Sequence, residues 1–246
     1  MFELTLSIKL EKQKFLLDFQ KKLANELGEN FATIISHNDE GRCHLAIACE
    51  QSKKEYIKAK VLSGVLEIIL SAYKFEYFKE ALFFESSNFM SMPFLKAISI
   101  FDADSDYEII KKEIILSGEI LIDSFFHFKL QGLKDRWEKT AIIILKNGIV
   151  HSESAMIEVI KYLTSCSENY SLVANVELSH DKFEIKNYNG TKIYVASNEG
   201  MAKFLSEIIS LNPLKINLTL SYEIDENNKI CKILNDIFGE KIYMQN

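Results

Sequence analysis

The chain has 246 residues, of which 48% are hydrophobic and 26% charged, with only two prolines. That is the composition of an ordinary folded protein, long enough to bury a core as one large domain or two modest ones. A formal charge of -6, with acids and bases near balance in every third of the chain, argues against a general phosphate-backbone binder.

Residues 2–9 alternate Phe2, Leu4, Leu6 and Ile8 with polar neighbours, which predicts a half-buried strand. Phe15, Leu16, Phe19, Leu23 and Leu27 then recur at helical spacing until Gly28. Apolar runs over 31–36 and 42–49 flank Asn38-Asp39-Glu40-Gly41, a hairpin with a four-residue turn in which Gly41 supplies a positive φ. A long helical region follows from Lys53 to about Phe84, although Gly64 argues against one unbroken rod. Residues 85–93 form a Ser-rich break ended by Pro93. Helical patterning resumes over 94–101, 106–117, 119–131 and 134–147, punctuated by Gly118, Gly132 and Gly148, and a further helix spans 155–166.

The period then switches to two. Strands are expected over 172–178, 182–187 and 191–196, with Asn189-Gly190 as a hairpin signal. A helix from Ser197-Asn198-Glu199 to Ser210, a strand over 215–224, a helix over 226–238 and a short strand over 241–244 complete the chain. The reading is α+β: an N-terminal βαββ unit (1–50), a helical middle (51–166), and a C-terminal domain (167–246) with a small mixed sheet and two helices.

Four scattered cysteines, Cys43, Cys49, Cys166 and Cys231, are too few for a disulfide scaffold and read as thiols in a reducing compartment. The opening MFELTLSIKLEKQK has no signal-peptide layout, and no uncharged apolar run reaches the ~18 residues that span a bilayer. A soluble, cytoplasmic protein without a membrane span is expected.

The densest stretch is 119–137, EILIDSFFHFKLQGLKDRW, which holds Phe125, Phe126, Phe128 and Trp137 beside a charged cluster that includes one of only two arginines. Ile122-Asp123-Ser124-Phe125 followed by Phe128-Lys129-Leu130 resembles the Ile-Asp-Gly-Phe and Phe-Arg-Leu words of the YtxC-like family of sporulation proteins of endospore-forming bacteria. The segment from Met156 to Cys166, the run FLSEIISLNPLKI from Phe204 to Ile216, and Ile237-Phe238-Gly239 resemble later parts of that family, so the likeness covers about residues 50–246. Ser124 and Lys129 depart from the glycine and arginine of the pattern, and a lysine does not reproduce a bidentate guanidinium contact. The resemblance implies a cytoplasmic role around spore formation and no particular reaction.

Asp102-x-Asp104-x-Asp106 with Glu113 twelfth has the outline of a calcium loop, but Tyr107 replaces the turning glycine and Ile110 offers no side-chain oxygen, so a helix cap is the favoured reading. His37, Cys43, His44 and Cys49 are zinc-type ligands, yet alternation along a strand sends Cys43 and His44 to opposite faces. His127, His151 and His180 belong to no nucleophile motif, and no phosphate-binding glycine loop is present. The basic run of Lys53, Lys54, Lys58 and Lys60 reads as a solvated helix face, so no nucleic acid is expected.

The aromatic rings read mostly as core, leaving Asp123, His127, Lys129, Lys134, Arg136 and Trp137 as candidate binding residues. No catalytic residues, cofactor or metal are assigned. The expected function is a non-catalytic accessory or interaction module that meets a protein partner or itself. The alternative is a small-molecule-binding protein or enzyme with a site built from dispersed residues near 119–137.

Overall fold

The structure is a computed structural model that describes residues 1–28, 31–83, 88–100, 103–166, 172–179, 182–187, 189–197, 200–221 and 228–245. In chain order the elements are β1 (Phe2–Lys9), α1 (Gln13–Leu27), β2 (Thr33–Asp39), β3 (Arg42–Cys49), α2 (Lys54–Ile68), a π-helical turn (Ile69–Lys74), α3 (Phe75–Ala81), α4 (Ser91–Ile100), α5 (Ala103–Glu113), β4 (Gly118–Leu121), α6 (Ile122–Lys129), α7 (Gln131–Lys146), α8 (Glu153–Cys166), β5 (Val173–Leu178), β6 (Lys182–Lys186), β7 (Lys192–Ser197), α9 (Met201–Leu211), β8 (Lys215–Leu220), α10 (Lys229–Phe238) and β9 (Ile242–Gln245). The fold is α+β, with strands and a helix first and a sheet with helices last. Among the described residues, no helix is long and apolar enough to cross a membrane.

The chain forms two compact units, Met1–Tyr77 with Asp102–Thr140, and Phe78–Phe101 with Ala141–Asn246. The first is built on a four-stranded sheet of order β2-β3-β1-β4. β3 runs antiparallel between β1 and β2, and β4 pairs parallel to β1. The register sets Phe2, Leu4, Leu6 and Ile8 opposite Cys49, Ile47, Leu45 and Cys43, and all eight are buried. Period-two alternation thus makes one face of the sheet core, and Leu16, Phe19 and Leu23 of α1 are the buried side of the helix that packs on it. Each such aliphatic side chain contributes about 1.5–3 kcal/mol by leaving water.

The β2–β3 loop is shorter than expected: only Glu40 and Gly41 connect the strands, both at positive φ (43° and 82°). That is the two-residue turn whose twist matches the hairpin. Gly64 does not interrupt α2. A Cβ there would overlap the Phe19 ring, so the glycine is what lets α1 and α2 approach.

Two further expectations are corrected. Residues 118–121 are a strand rather than the start of a helix, because Gly118 to Leu121 pair with Leu4 to Ser7 of β1, more than a hundred residues away. Gly132 does not punctuate; it lies in the first turn of α7, and the break falls at Leu130.

The second unit carries a five-stranded sheet of order β7-β6-β5-β8-β9. Ala174, Val176, Leu178, Phe183, Ile185, Ile216 and Leu218 form its apolar face, and Phe183 meets Phe204 of α9 with ring centroids 5.2 Å apart. Asn212 ends α9 in the left-handed conformation, and its buried amide donates to the Thr164 carbonyl at 3.1 Å. The Asn228 side chain caps α10 by accepting from the Ile230 N–H at 3.0 Å.

Candidate functional site

The polar centre of the first unit starts from a wide helical turn. Between α2 and α3 the i→i+5 pattern of Ile69–Lys74 replaces the α-helical one, and π-turns of this kind often mark functional positions. Its last two residues, Tyr73 and Lys74, are consecutive, polar and buried, and they reach two different aspartates.

Tyr73 reaches Asp123. Leu121 is level with Ser7, so α6 departs just past the sheet end and brings Asp123 to Lys9 and Arg42, which face each other across β1 and β3. One carboxylate oxygen accepts from the Lys9 backbone N–H (3.1 Å) and from Arg42 Nη2 (2.7 Å); the other accepts from the Tyr73 hydroxyl (2.7 Å). Arg42 Nε donates in turn to the buried Ser7 hydroxyl at 2.6 Å. Burial alone would raise the Asp123 pKa, but the donors from Tyr73, Arg42 and the Lys9 amide, with the arginine charge, hold it below the usual carboxylate range. Burial and the bond to this carboxylate push the Tyr73 phenol far above its ordinary value. Outside this cluster, Lys12 pairs with Glu76 at 2.6 Å and lies 5.4 Å from the Tyr73 ring centroid. The arrangement is a charged pin through the end of the sheet, able to position elements and engaged entirely with the protein's own groups.

Lys74 reaches Asp106 on α5 at 2.7 Å, with 3% and 1% of the two side chains exposed. Burial lowers the lysine pKa and raises that of the aspartate, and the pair's mutual attraction offsets this only in part. Arg136 also disfavours the charged lysine, and the Trp137 indole N–H favours the charged aspartate. Trp137 stacks with Phe126 (5.7 Å) and tilts against Tyr77 (5.7 Å), while Phe126 meets Tyr73 at 4.6 Å. Trp137 is 2% exposed, so this candidate contact residue belongs to the interior instead.

The other candidates face outward or lie at the edge. His127, Phe128 and Lys129 are exposed at the end of α6, and Phe128 is 76% exposed. Lys134 folds back to donate to the His127 carbonyl at 3.0 Å, where Gln131 also donates. Arg136 is half-buried. The six candidates are therefore not one site: Asp123 and Trp137 point into the core, His127 and Lys129 are exposed, and Lys134 and Arg136 are half-buried.

Beside the outward group runs a shallow groove of about 310 Å³, lined among others by Glu113, Ile115, Glu119, Leu121, Phe128 and Lys129. Glu119, Ile120 and Leu121 of β4 all contribute to its lining. β4 is the edge strand, and among the described residues no strand pairs with its outer side. Ile115 is 78% exposed.

No family model, curated protein or solved structure matches this chain.

The metal candidates resolve by geometry. Cys43 and Cys49 are buried in the apolar face, whereas His37 and His44 stack on the other face at 4.8 Å, with Glu119 3.5 Å from His44 Nδ1. Among the described residues no three His, Cys, Asp or Glu side chains are placed to hold a metal ion. In the calcium-like run, Asp102 lies outside the described residues and Asp106 is committed to Lys74. His180 also lies outside them.

Arg42, Tyr73, Ser7 and Lys74 are absent from the sequence-derived candidates, and Asp106 is among them only through the calcium-like run. The rarity of arginine was the one available signal for Arg42; nothing local marks the π-turn. In the second unit, Glu184 is ringed by Lys182, Lys186 (2.8 Å) and Lys192 (3.1 Å), whose bonds and charges outweigh burial and lower its pKa to about 2. Lys186 also bridges to Glu177 at 2.8 Å, so this is an internally satisfied charge ladder on a strand face.

Proposed function

We propose that this chain is a cytoplasmic, sporulation-associated accessory protein that acts by binding another protein chain rather than by catalysis. The observation that carries the contact reading is the groove beside β4, where Ile115 and Phe128 stand 78% and 76% exposed among apolar lining residues. The sporulation context comes from the resemblance of Ile122-Asp123-Ser124-Phe125 and the later words to the YtxC-like family. The buried polar groups support the same reading: Asp123, Arg42 and Tyr73 bond to one another and to the backbone, which weighs against a small-molecule site built on them.

The test is affinity purification of the tagged chain from sporulating cells that also carry an untagged copy, with co-purifying chains quantified by mass spectrometry. A stoichiometric chain, whether a different protein or the untagged copy, is expected, and it is lost on Phe128→Asp with circular dichroism unchanged. A tagged chain that comes down alone at every stage contradicts the proposal.

A further inference from the structure

We propose that the cleft between α1 and α2 is a binding site for a small amine with an apolar body. Phe15, Asp18, Phe19 and Lys22 recur at i, i+3, i+4 and i+7, so they form one stripe of α1. Gly64, Glu67, Ile68 and Ser71 have the same spacing on α2 and the π-turn that continues it. The two stripes line a cleft of about 390 Å³, at the small end of the range for small-molecule sites. It shares no residue with the β4 groove.

The cleft owes its space to small residues on the facing stripe. Gly64 has no side chain, which lets the Phe19 ring lie against α2. Further along, the Ser71 hydroxyl turns back to donate to the Glu67 carbonyl at 2.6 Å. Cross-helix ion pairs bound the seam, Lys12 with Glu76 before Phe15 and Lys22 with Glu67 after Phe19. The walls are apolar, with Phe19 and Ile68 buried and Phe15 half-buried. Charge then selects the ligand. The Lys22 ammonium is engaged by Glu67. Asp18 keeps 51% of its side-chain surface exposed, and among the described residues its carboxylate meets only the exposed Lys21, at 4.0 Å. Two carboxylates against one ammonium, beside two phenyl rings, suit a cation: Asp18 pairs with it and the aromatic rings attract it. An anionic ligand meets repulsion from the same carboxylates.

The experiment is isothermal titration calorimetry of the full chain with phenethylamine, its neutral counterpart phenethyl alcohol, and phenylacetate. Phenethylamine is expected to bind at one site, at least about tenfold more tightly than either counterpart, a factor that an ion pair and a cation–π contact together supply. Asp18→Lys, a change at an exposed position, lowers the amine affinity at least about tenfold and turns the preference toward phenylacetate. Ser71→Leu fills the cleft and removes binding of all three probes, with circular dichroism and urea unfolding showing that the variant folds. Should Ser71→Leu fail to fold, Asp18→Lys alone decides. A chain that binds none of the three, phenylacetate bound as tightly as the amine, or an amine affinity that ignores Asp18→Lys or survives a folded Ser71→Leu overturns the inference. The contact reading at β4 is tested separately by Phe128→Asp, which leaves amine binding unchanged.

Discussion

Asp123 and Asp106 are buried aspartates held by neighbouring residues of one π-turn, and they are held in opposite ways. Three donors converge on Asp123 at the sheet end, and its pKa falls; Asp106, enclosed with Lys74 and the Trp137 indole N–H, has its pKa raised while that of Lys74 drops. The difference lies in the number of donors and in solvent. The side chain of Arg42 keeps 24% of its surface exposed, whereas both members of the Lys74–Asp106 pair are fully enclosed. A carboxylate met by several donors at a partly solvated edge stabilises the fold as a charged group, whereas a fully enclosed pair recovers little of its desolvation cost. Both aspartates serve the interior of the first unit.

The comparison breaks most sharply at Lys74. Lys74→Met strands a 1%-exposed carboxylate and is expected to cost about 3–5 kcal/mol at neutral pH in urea unfolding. Part of that loss should return as the pH falls, because a carboxyl with a raised folded pKa binds its proton more tightly in the folded state. Replacing both partners, Lys74→Met with Asp106→Leu, should recover much of that loss, less the cost of leaving the buried Trp137 N–H without its acceptor.

At the sheet end the sign reverses. Asp123→Asn should cost about 2–4 kcal/mol at pH 7, since Arg42 and Tyr73 lose a charged acceptor. The folded pKa of Asp123 is depressed, so its contribution is fully present above the ordinary aspartate value near 3.9 and is lost as the pH falls through the lower, folded value. The acid-induced loss of stability in that window should therefore be shallower in Asp123→Asn than in the parent. Tyr73→Phe removes one donor and leaves the arginine, and a loss of about 1.5 kcal/mol is expected.

How much of this was legible in the chain follows the reach of each interaction. The alternation of Phe2, Leu4, Leu6 and Ile8, the Gly41 turn and the strands around Asn189-Gly190 all depend on neighbours a few residues apart, and they appear where periodicity placed them. β4 did not, because Glu119-Ile120-Leu121-Ile122 reads equally as helix until β1 is known to lie beside it. Asp123 stood out beside its aromatic neighbours, but its partners Lys9, Arg42 and Tyr73 lie between 50 and 114 residues away. Trp137 looked like a surface anchor because its residue type is common there; the π-turn that carries Lys74 beneath its ring leaves no trace in the pattern.

The most direct test is a pH titration of the aspartate carboxyl carbons by NMR in the full chain, with the two signals assigned from Asp123→Asn and Asp106→Asn. Asp123 is expected to titrate below the ordinary aspartate value and Asp106 above it. If both titrate together near the ordinary value, or in the reverse order, the sheet-end pin and the enclosed pair are not the opposed devices described above.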